Sequence, residues 1–296
     1  MGFFDFLRAK PRKAKSSESE IINRWSLENG TYRDNLRSRD EIAWMVGTGW
    51  FELWFQGLER RTAQSLGRRL AHASLEHEEY MLGLGFSSPP AGRDPRSWTQ
   101  TSLLWETSGL GMFGLLEDDG RSRILVDNPS SGPICSGLIA ASWEAATGKR
   151  HRFLWNEGKG EGLVVTLTQD DANFPSPEAQ NGIWPHPPSE LSKQAPDNHD
   201  NWLDLRIDSP GQWSIMGERR MFVHLDLLLR FEEYCLPYID GIHEGRSESF
   251  SWRGIDSARS AWWSAAADSA RERFVSDGHH VLIRNDSDWF QIARRH

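Results

Sequence analysis

Residues 133–158 have the sequence PICSGLIAASWEAATGKRHRFLWNEG, and this stretch decides how the middle of the chain folds. A proline near its start, a run of small apolar residues and Gly148 after the run predict a helix over 134–147. Proline fits a first helical turn, and glycine fits the position after the last one. Beyond Gly148 the pattern changes, and residues 151–155 are predicted as a strand. The stretch therefore predicts a helix that leads into a sheet.

Further elements are predicted on both sides of this stretch. Apolar segments at 112–116 and 124–126 flank the turn EDDGRS, whose Asp-Gly pair is a hairpin signal. A strand over 163–168 follows a glycine-rich turn, and apolar residues between 39 and 81 recur at three- and four-residue spacings that predict two consecutive amphipathic helices. This order predicts an α+β fold in which an antiparallel sheet packs against helices.

Composition divides the chain into four parts. Residues 1–20 form an apolar-basic tail and linker, 39–170 the α+β domain, 171–200 a connector rich in Pro, Asn and Asp, and 201–296 a smaller C-terminal α+β region of unassigned family. In that last region the pattern predicts two strands, two helices and a terminal hairpin. The strands are predicted at 202–207 and 212–216, and the helices at 222–234 and 255–274. The hairpin is predicted around a turn at 285–288.

The bulk composition limits the classes of partner. A formal net charge of -8 and a pI of about 5.7 argue against binding nucleic acid through bulk charge. The two cysteines, Cys135 and Cys235, fit a reducing compartment, although a single disulfide between them stays an alternative. The sequence contains no apolar run of membrane-spanning length and no secretory signal pattern, so a cytoplasmic protein is expected.

The N-terminal tail begins with apolar residues and continues with basic ones. Its apolar residues are Phe3, Phe4, Phe6 and Leu7. Two interpretations stay open, a weak contact with an anionic membrane surface and a frayed tail.

Cys135 is the first candidate for chemistry. A thiolate near a helix N-terminus is stabilised by the helix dipole, and His151 begins a strand that could return beside it as a base. The alternative is a small buried hydrophobe, because Ile134, Gly137 and Leu138 surround the cysteine in sequence.

Aromatic and small residues suggest two further features. We expect the wall of a ligand pocket to include Trp105, Cys135, Trp143, His151, Phe153 and Trp155, although aromatic stripes are also typical of cores. Gly137, Ala141 and Ala145 form a flat stripe on the predicted helix. That stripe would serve either close packing within the chain or a contact between two copies.

Motifs for metals and nucleotides are lacking in the sequence. His72 and His77 are five residues apart, which is not the spacing of a helical zinc pair, and the charged cluster from His72 to Glu79 is interpreted as a solvated helix end. There is no P-loop, no dinucleotide-binding glycine motif and no nucleophile elbow. We therefore expect no metal and no cofactor.

Three segments in order, GLGMFGLLED, RILVDNPSSGPICSGLIAASWEAATGK and HRFLWNEGKGEGLVVTLTQ, resemble the 4-vinyl-reductase-like domain, a small-molecule-binding module related in fold to the small subunits of the TRAPP tethering complex. The resemblance covers about residues 39–170. It implies an α+β sandwich, often dimeric, with an apolar pocket between helices and sheet. Many members carry further cysteines in the closing strands, which this chain lacks, so a cysteine-based metal site like theirs is not expected.

Three functions follow as hypotheses. The first is a non-enzymatic ligand-binding or sensory protein that takes a small apolar molecule between the 134–147 helix and its sheet, as a homodimer. The second is a TRAPP-like scaffold that acts through dimerisation and partner docking. The third is a cysteine-dependent enzyme.

Overall fold

A computed structural model describes residues 16–28, 31–37, 41–86, 88–92, 94–118, 121–158, 162–172, 175–180 and 202–243. Two elements predicted near the C-terminus, the helix over 255–274 and the hairpin at 285–288, lie outside these residues. The apolar-basic start of the N-terminal tail lies outside them as well.

The described residues form six helices and ten strands. The helices are α1 Glu18–Arg24, α2 Thr48–Thr62, α3 Gly67–Gly83, α4 Thr99–Ser108, α5 Gly132–Thr147 and α6 Leu225–His243. The strands are β1 Trp25–Glu28, β2 Thr31–Asp34, β3 Ile42–Gly47, β4 Met112–Asp118, β5 Ser122–Asp127, β6 His151–Gly158, β7 Gly162–Gln169, β8 Leu205–Ser209, β9 Gln212–Ile215 and β10 Glu218–His224. The predicted α+β class, with antiparallel sheets packed against helices, is confirmed.

The larger sheet has the order β1-β2-β3-β10-β9-β8 and is built from two three-stranded meanders. The meanders meet where β3 and β10 pair antiparallel, with Met45 opposite Phe222 at the centre of the pairing. Each inner strand leads without a loop into a helix, β3 into α2 and β10 into α6. The two halves therefore share one order of elements, three strands followed by a helix, on either side of the β3–β10 pair. Strands that precede and follow the 171–200 connector share this one sheet.

The smaller sheet has the order β4-β5-β7-β6 and matches the four strands predicted around the opening stretch. Alternate residues of β5 and β7 are buried, including Ile124, Val126 and Val165. Helix α5 packs against β6 and β7 and buries most of its length. The predicted helix and its two hairpins are therefore confirmed as one packed unit.

Helices α3 and α5 cross at very close range. A Cβ atom added at Gly137 would overlap the carbonyl oxygen of Ala71 and lie 2.8 Å from the Cβ of Ser74. The small-residue stripe therefore serves packing within the chain at Gly137, because any side chain there would force the two helix backbones apart.

Sequence patterns misassigned two strands of the larger sheet. Residues 42–47 were expected to begin a helix and 222–224 to lie in one, whereas they belong to β3 and β10. Both are central strands with helices over one face and an aromatic cluster over the other. A short apolar run covered on both faces does not alternate, and it can be mistaken for a helix. Helices α1 and α4 and strands β1 and β2 were not predicted.

Three of the 15 tryptophans of the chain lie in an aromatic cluster on the larger sheet; they are Trp25, Trp202 and Trp213. Trp25 stacks on Phe222 with ring centroids 3.8 Å apart, and Tyr32, Trp202 and Trp213 surround that pair. These rings cover the face of the larger sheet opposite the main core. Aromatic side chains suit such a layer because each covers a large area with few flexible bonds.

Candidate functional site

Cys135 lies inside the core rather than in an open site. Its side chain is fully buried, and its thiol donates to the carbonyl oxygen of Leu110 at 3.3 Å. Burial raises the pKa of the Cys135 thiol, which opposes the thiolate that a nucleophile needs. Cys235 is also buried and unbridged, and burial raises its pKa to about 12. These surroundings match those of a structural cysteine.

His151 is engaged with other groups and offers Cys135 no base. The indole N–H of Trp143 donates to its Nε2 at 3.3 Å, so the proton of the neutral imidazole sits on Nδ1, which donates to the carbonyl oxygen of Lys149 at 2.9 Å. The Trp143 ring is itself fully buried beside Trp98, with centroids 6.1 Å apart. Both residues therefore act in packing the end of α5 onto β6.

The other three predicted pocket residues lie in two places. Trp105, on α4, is buried and packs edge-on against Phe113 at 4.9 Å. Phe153 and Trp155 are half-buried on β6, and their rings stack at 6.2 Å. Only these last two of the six candidates reach the surface as a pair, and they lie next to the largest groove that we describe.

This groove has a volume of about 720 Å³ and lies between α3 and α6; we name it the α3–α6 groove. Its volume falls within the range of small-molecule sites, roughly 300–1,000 Å³. Its lining residues are Ser65, Arg68, Arg69, His72, Glu76, Glu233 and Tyr234. None of these residues was predicted from the sequence as a ligand contact.

A row of rings runs beside the groove, and two of its members, His72 and Tyr234, line it. The His72 ring lies 5.4 Å from Phe153 and 6.4 Å from Tyr234, measured between centroids. Trp155 extends the row to the start of α3, where its ring would lie 3.7 Å from a Cβ added at Gly67. Burial lowers the pKa of His72, while the charge of Glu76 opposes this shift and that of Arg68 adds to it. The imidazole is therefore neutral at physiological pH and presents a flat ring.

The charged side chains at the two ends of the groove differ in whether they are already engaged in hydrogen bonds. At one end, Glu76 accepts the Tyr234 hydroxyl at 2.5 Å, and Glu233 accepts the side-chain amide of Gln180 at 3.1 Å. At the other end, in the first turn of α3, the side chain of Arg68 is exposed beside Arg69. That first turn contains no acidic residue. An incoming ligand therefore meets engaged carboxylates at one end and positive charge at the other.

A second groove, of about 570 Å³, lies where α3 and α5 end. Arg150 bridges its walls, pairing with Glu79 of α3 and, at 2.7 Å, with Glu144 of α5. Burial raises the pKa of Glu144 to about 7, although the carboxylate also accepts the backbone N–H of His151. Arg150 and its two carboxylate partners are thus paired across the groove and hold the two helix ends together.

The described residues contain neither a metal-binding cluster nor a membrane-spanning helix. No three His, Cys, Asp or Glu side chains there come together in a way that could hold a metal ion. No helix in this part of the chain combines the length and the apolar character needed to cross a membrane.

Comparison of the chain with protein-family models, with curated proteins and with solved structures gave no match. The resemblance to the 4-vinyl-reductase-like domain therefore stays a prediction, and the candidate site rests on its own geometry.

Proposed function

We propose that this chain is a non-enzymatic ligand-binding protein. Its α3–α6 groove would take a small molecule that combines a flat apolar portion with an anionic group. The observation that carries this proposal is the exposed guanidinium of Arg68 one helical turn from the ring row of His72, Phe153 and Tyr234.

The chemistry of the two halves of the groove supports this ligand class. Flat rings stack on neutral aromatic faces, and the His72 and Tyr234 rings that line the groove offer such faces. An anion near Arg68 would be stabilised both by the guanidinium and by the positive end of the α3 dipole. The proposed site lies on the outer side of α3, because the α5 residues first considered, Cys135 and Trp143, are buried in the core.

The alternative of a scaffold that dimerises through α5 has less support. The stripe on which it depended is covered at Gly137 by α3 of the same chain. A dimer that forms through another surface stays a prediction.

The proposal is tested with anilinonaphthalene sulfonate, an aromatic anion that fluoresces when it binds an apolar site. We expect saturable binding to the wild-type protein. Arg68→Glu should weaken it about tenfold or more, since replacing attraction by repulsion is expected to cost upwards of about 1.4 kcal/mol. His72→Ala, which removes a ring but no charge at neutral pH, should also weaken it.

The matched control is Lys149→Glu, the same charge reversal in the second groove. This variant should bind the dye as the wild type does. Equal affinities for wild type and Arg68→Glu, or an equal loss in both charge-reversal variants, would show that the dye does not bind in the α3–α6 groove.

A further inference from the structure

A chain of polar side chains crosses the interior between the larger sheet and α3. Arg24 donates to both carboxylate oxygens of Asp34, at 3.0 and 2.6 Å. Asp34 lies 3.7 Å from Nε2 of His224, whose ring centroid is 4.9 Å from that of His77. His77 Nδ1 lies 2.8 Å from a carboxylate oxygen of Asp226. The order is therefore carboxylate, imidazole, imidazole, carboxylate. All four of these side chains are buried.

The charged groups around the two imidazoles compensate one another. Asp226 pairs with Arg230 at 2.8 Å, and Glu78 accepts two hydrogen bonds from Arg37, both at 2.8 Å. Arg24, beyond Asp34, also donates to the carbonyl oxygen of Leu104 and to the Thr107 hydroxyl. Glu41 is a further carboxyl close enough to feel the charges of His77, Asp226, Arg37 and Arg230, and burial raises its pKa.

The histidine pair borders a small internal cavity of about 30 Å³ whose lining includes Arg37, His77 and His224. Three nitrogen atoms of these side chains have no hydrogen-bond partner among the described protein groups: Nε of Arg37, Nε2 of His77 and Nδ1 of His224. The side chains that carry them are at least nine-tenths buried. Leaving such groups unsatisfied is costly, roughly 1–3 kcal/mol each.

The donor and acceptor pattern of these nitrogens suits water. Because His77 donates through Nδ1 to Asp226, its Nε2 is an acceptor when the ring is neutral, whereas Arg37 Nε–H is a donor. A water molecule donates to the first and accepts from the second, and buried waters make about three hydrogen bonds. The cavity exceeds the roughly 10–15 Å³ that one water requires.

We propose that one water molecule joins His77, His224 and Arg37 in this cavity, and that the hydrated histidine pair is a proton-sensitive contact between α3 and β10. A proton added to the His224 ring stays buried near Arg24 and Arg37, next to a second imidazole. Burial lowers the pKa of His224 well below its ordinary value, and the charges of Arg37 and Arg24 act in the same direction while that of Asp34 opposes them.

The direction of the pH effect follows from this lowered pKa. Below about pH 6.5 the unfolded chain protonates His224 while the folded chain does not. Stability contributed by the neutral ring is therefore present above about pH 6.5 and is lost as the pH falls below that value. One proton taken up only on unfolding changes the unfolding constant about tenfold per pH unit.

The test compares unfolding constants of the full chain from about pH 7.5 to pH 5.5, measured by urea denaturation. Relative to His224→Asn, the wild type should become easier to unfold as the pH falls, by up to about tenfold per unit below pH 6.5. Comparing variants cancels the contributions of other groups, including Glu144. Met221→Leu, a nearby change in β10 that introduces no titrating group and lies outside the cavity lining, should keep the wild-type pH dependence even if it lowers stability.

Two outcomes would overturn the proposal. One is a ratio of the unfolding constants of the wild type and His224→Asn that does not change with pH. The other is a crystal structure at about 1.8 Å or better in which no water lies within hydrogen-bond distance of His77 Nε2. If His224→Asn does not fold, histidine titration by NMR on the wild type decides the matter. An ordinary pKa for His224 contradicts proton sensitivity, and a strongly lowered pKa for His224 supports it.

Discussion

Helix α3 packs on two neighbours by opposite means. Towards α5 it relies on shape, because Gly137 lets the two backbones touch near Ala71 and Ser74. Towards the larger sheet and α6 it relies on charge, through His77 and the buried pairs around it. The contact between α3 and α5 does not tolerate added side-chain volume. The contact of α3 with the larger sheet and α6 does not tolerate an unpaired buried charge. The two regions should therefore fail under different substitutions.

The largest effect is expected in the polar region. Asp34→Ala leaves the buried guanidinium of Arg24 without its bidentate partner, and it also removes the acceptor of the Leu36 backbone N–H. We expect the free energy of unfolding to fall by about 3–5 kcal/mol, as for other broken buried pairs. Asp94→Ala, which breaks an exposed pair with Arg96 and removes the acceptor of the Arg96 backbone N–H, should cost much less. Urea denaturation compares the two, and similar losses would contradict the account of the polar region.

A smaller loss is expected in the shape-dependent region. Gly137→Ala inserts a methyl group against the Ala71 carbonyl and should lower stability by about 1–3 kcal/mol. Gly49→Ala, in α2, is the control: a Cβ there has nothing within 4 Å, so it should stabilise by about 0.5–1 kcal/mol through helix propensity. Effects of the same sign at both positions would mean that helix propensity, and not close packing, governs Gly137.

The smallest effect is expected at Cys135, on the same helix. Cys135→Ala removes one buried sulfur atom and one weak hydrogen bond, so stability should fall by about 1 kcal/mol. In the native protein Cys135 should react with iodoacetamide only as fast as the chain unfolds, because burial both raises its pKa and blocks access. Mass spectrometry of alkylated peptides measures this rate. Alkylation faster than that of a free thiol at neutral pH would revive the enzyme hypothesis.

The sequence predicted the smaller sheet and α5 well because every signal there is local. The Asp-Gly turn, Pro133 and Gly148 each fix an element boundary within a few residues. The larger sheet could not be predicted in this way, because β3 pairs with β10 from a part of the chain more than 170 residues away (47 to 220). Its central strands also lack alternation.

The functional residues were harder to predict than the fold. His77 and Glu78 were interpreted as part of a solvated helix end, yet they are 1% and 2% exposed, because β10 and α6 cover them from distant sequence. Phe153 and Trp155 were named from aromatic content alone, while Arg68 and Tyr234 carried no signal that set them apart. These residues come close together only because α3, α6 and β6 pack next to one another in the folded chain.

We propose that a flat anionic ligand binds against the outer side of α3. Indole NMR would detect this binding at Trp155. On addition of anilinonaphthalene sulfonate, the Trp155 indole N–H signal, assigned with Trp155→Phe, should shift and saturate, while that of buried Trp143 should stay in place. A saturating shift at Trp143 with none at Trp155 would place the ligand inside the core and contradict the account.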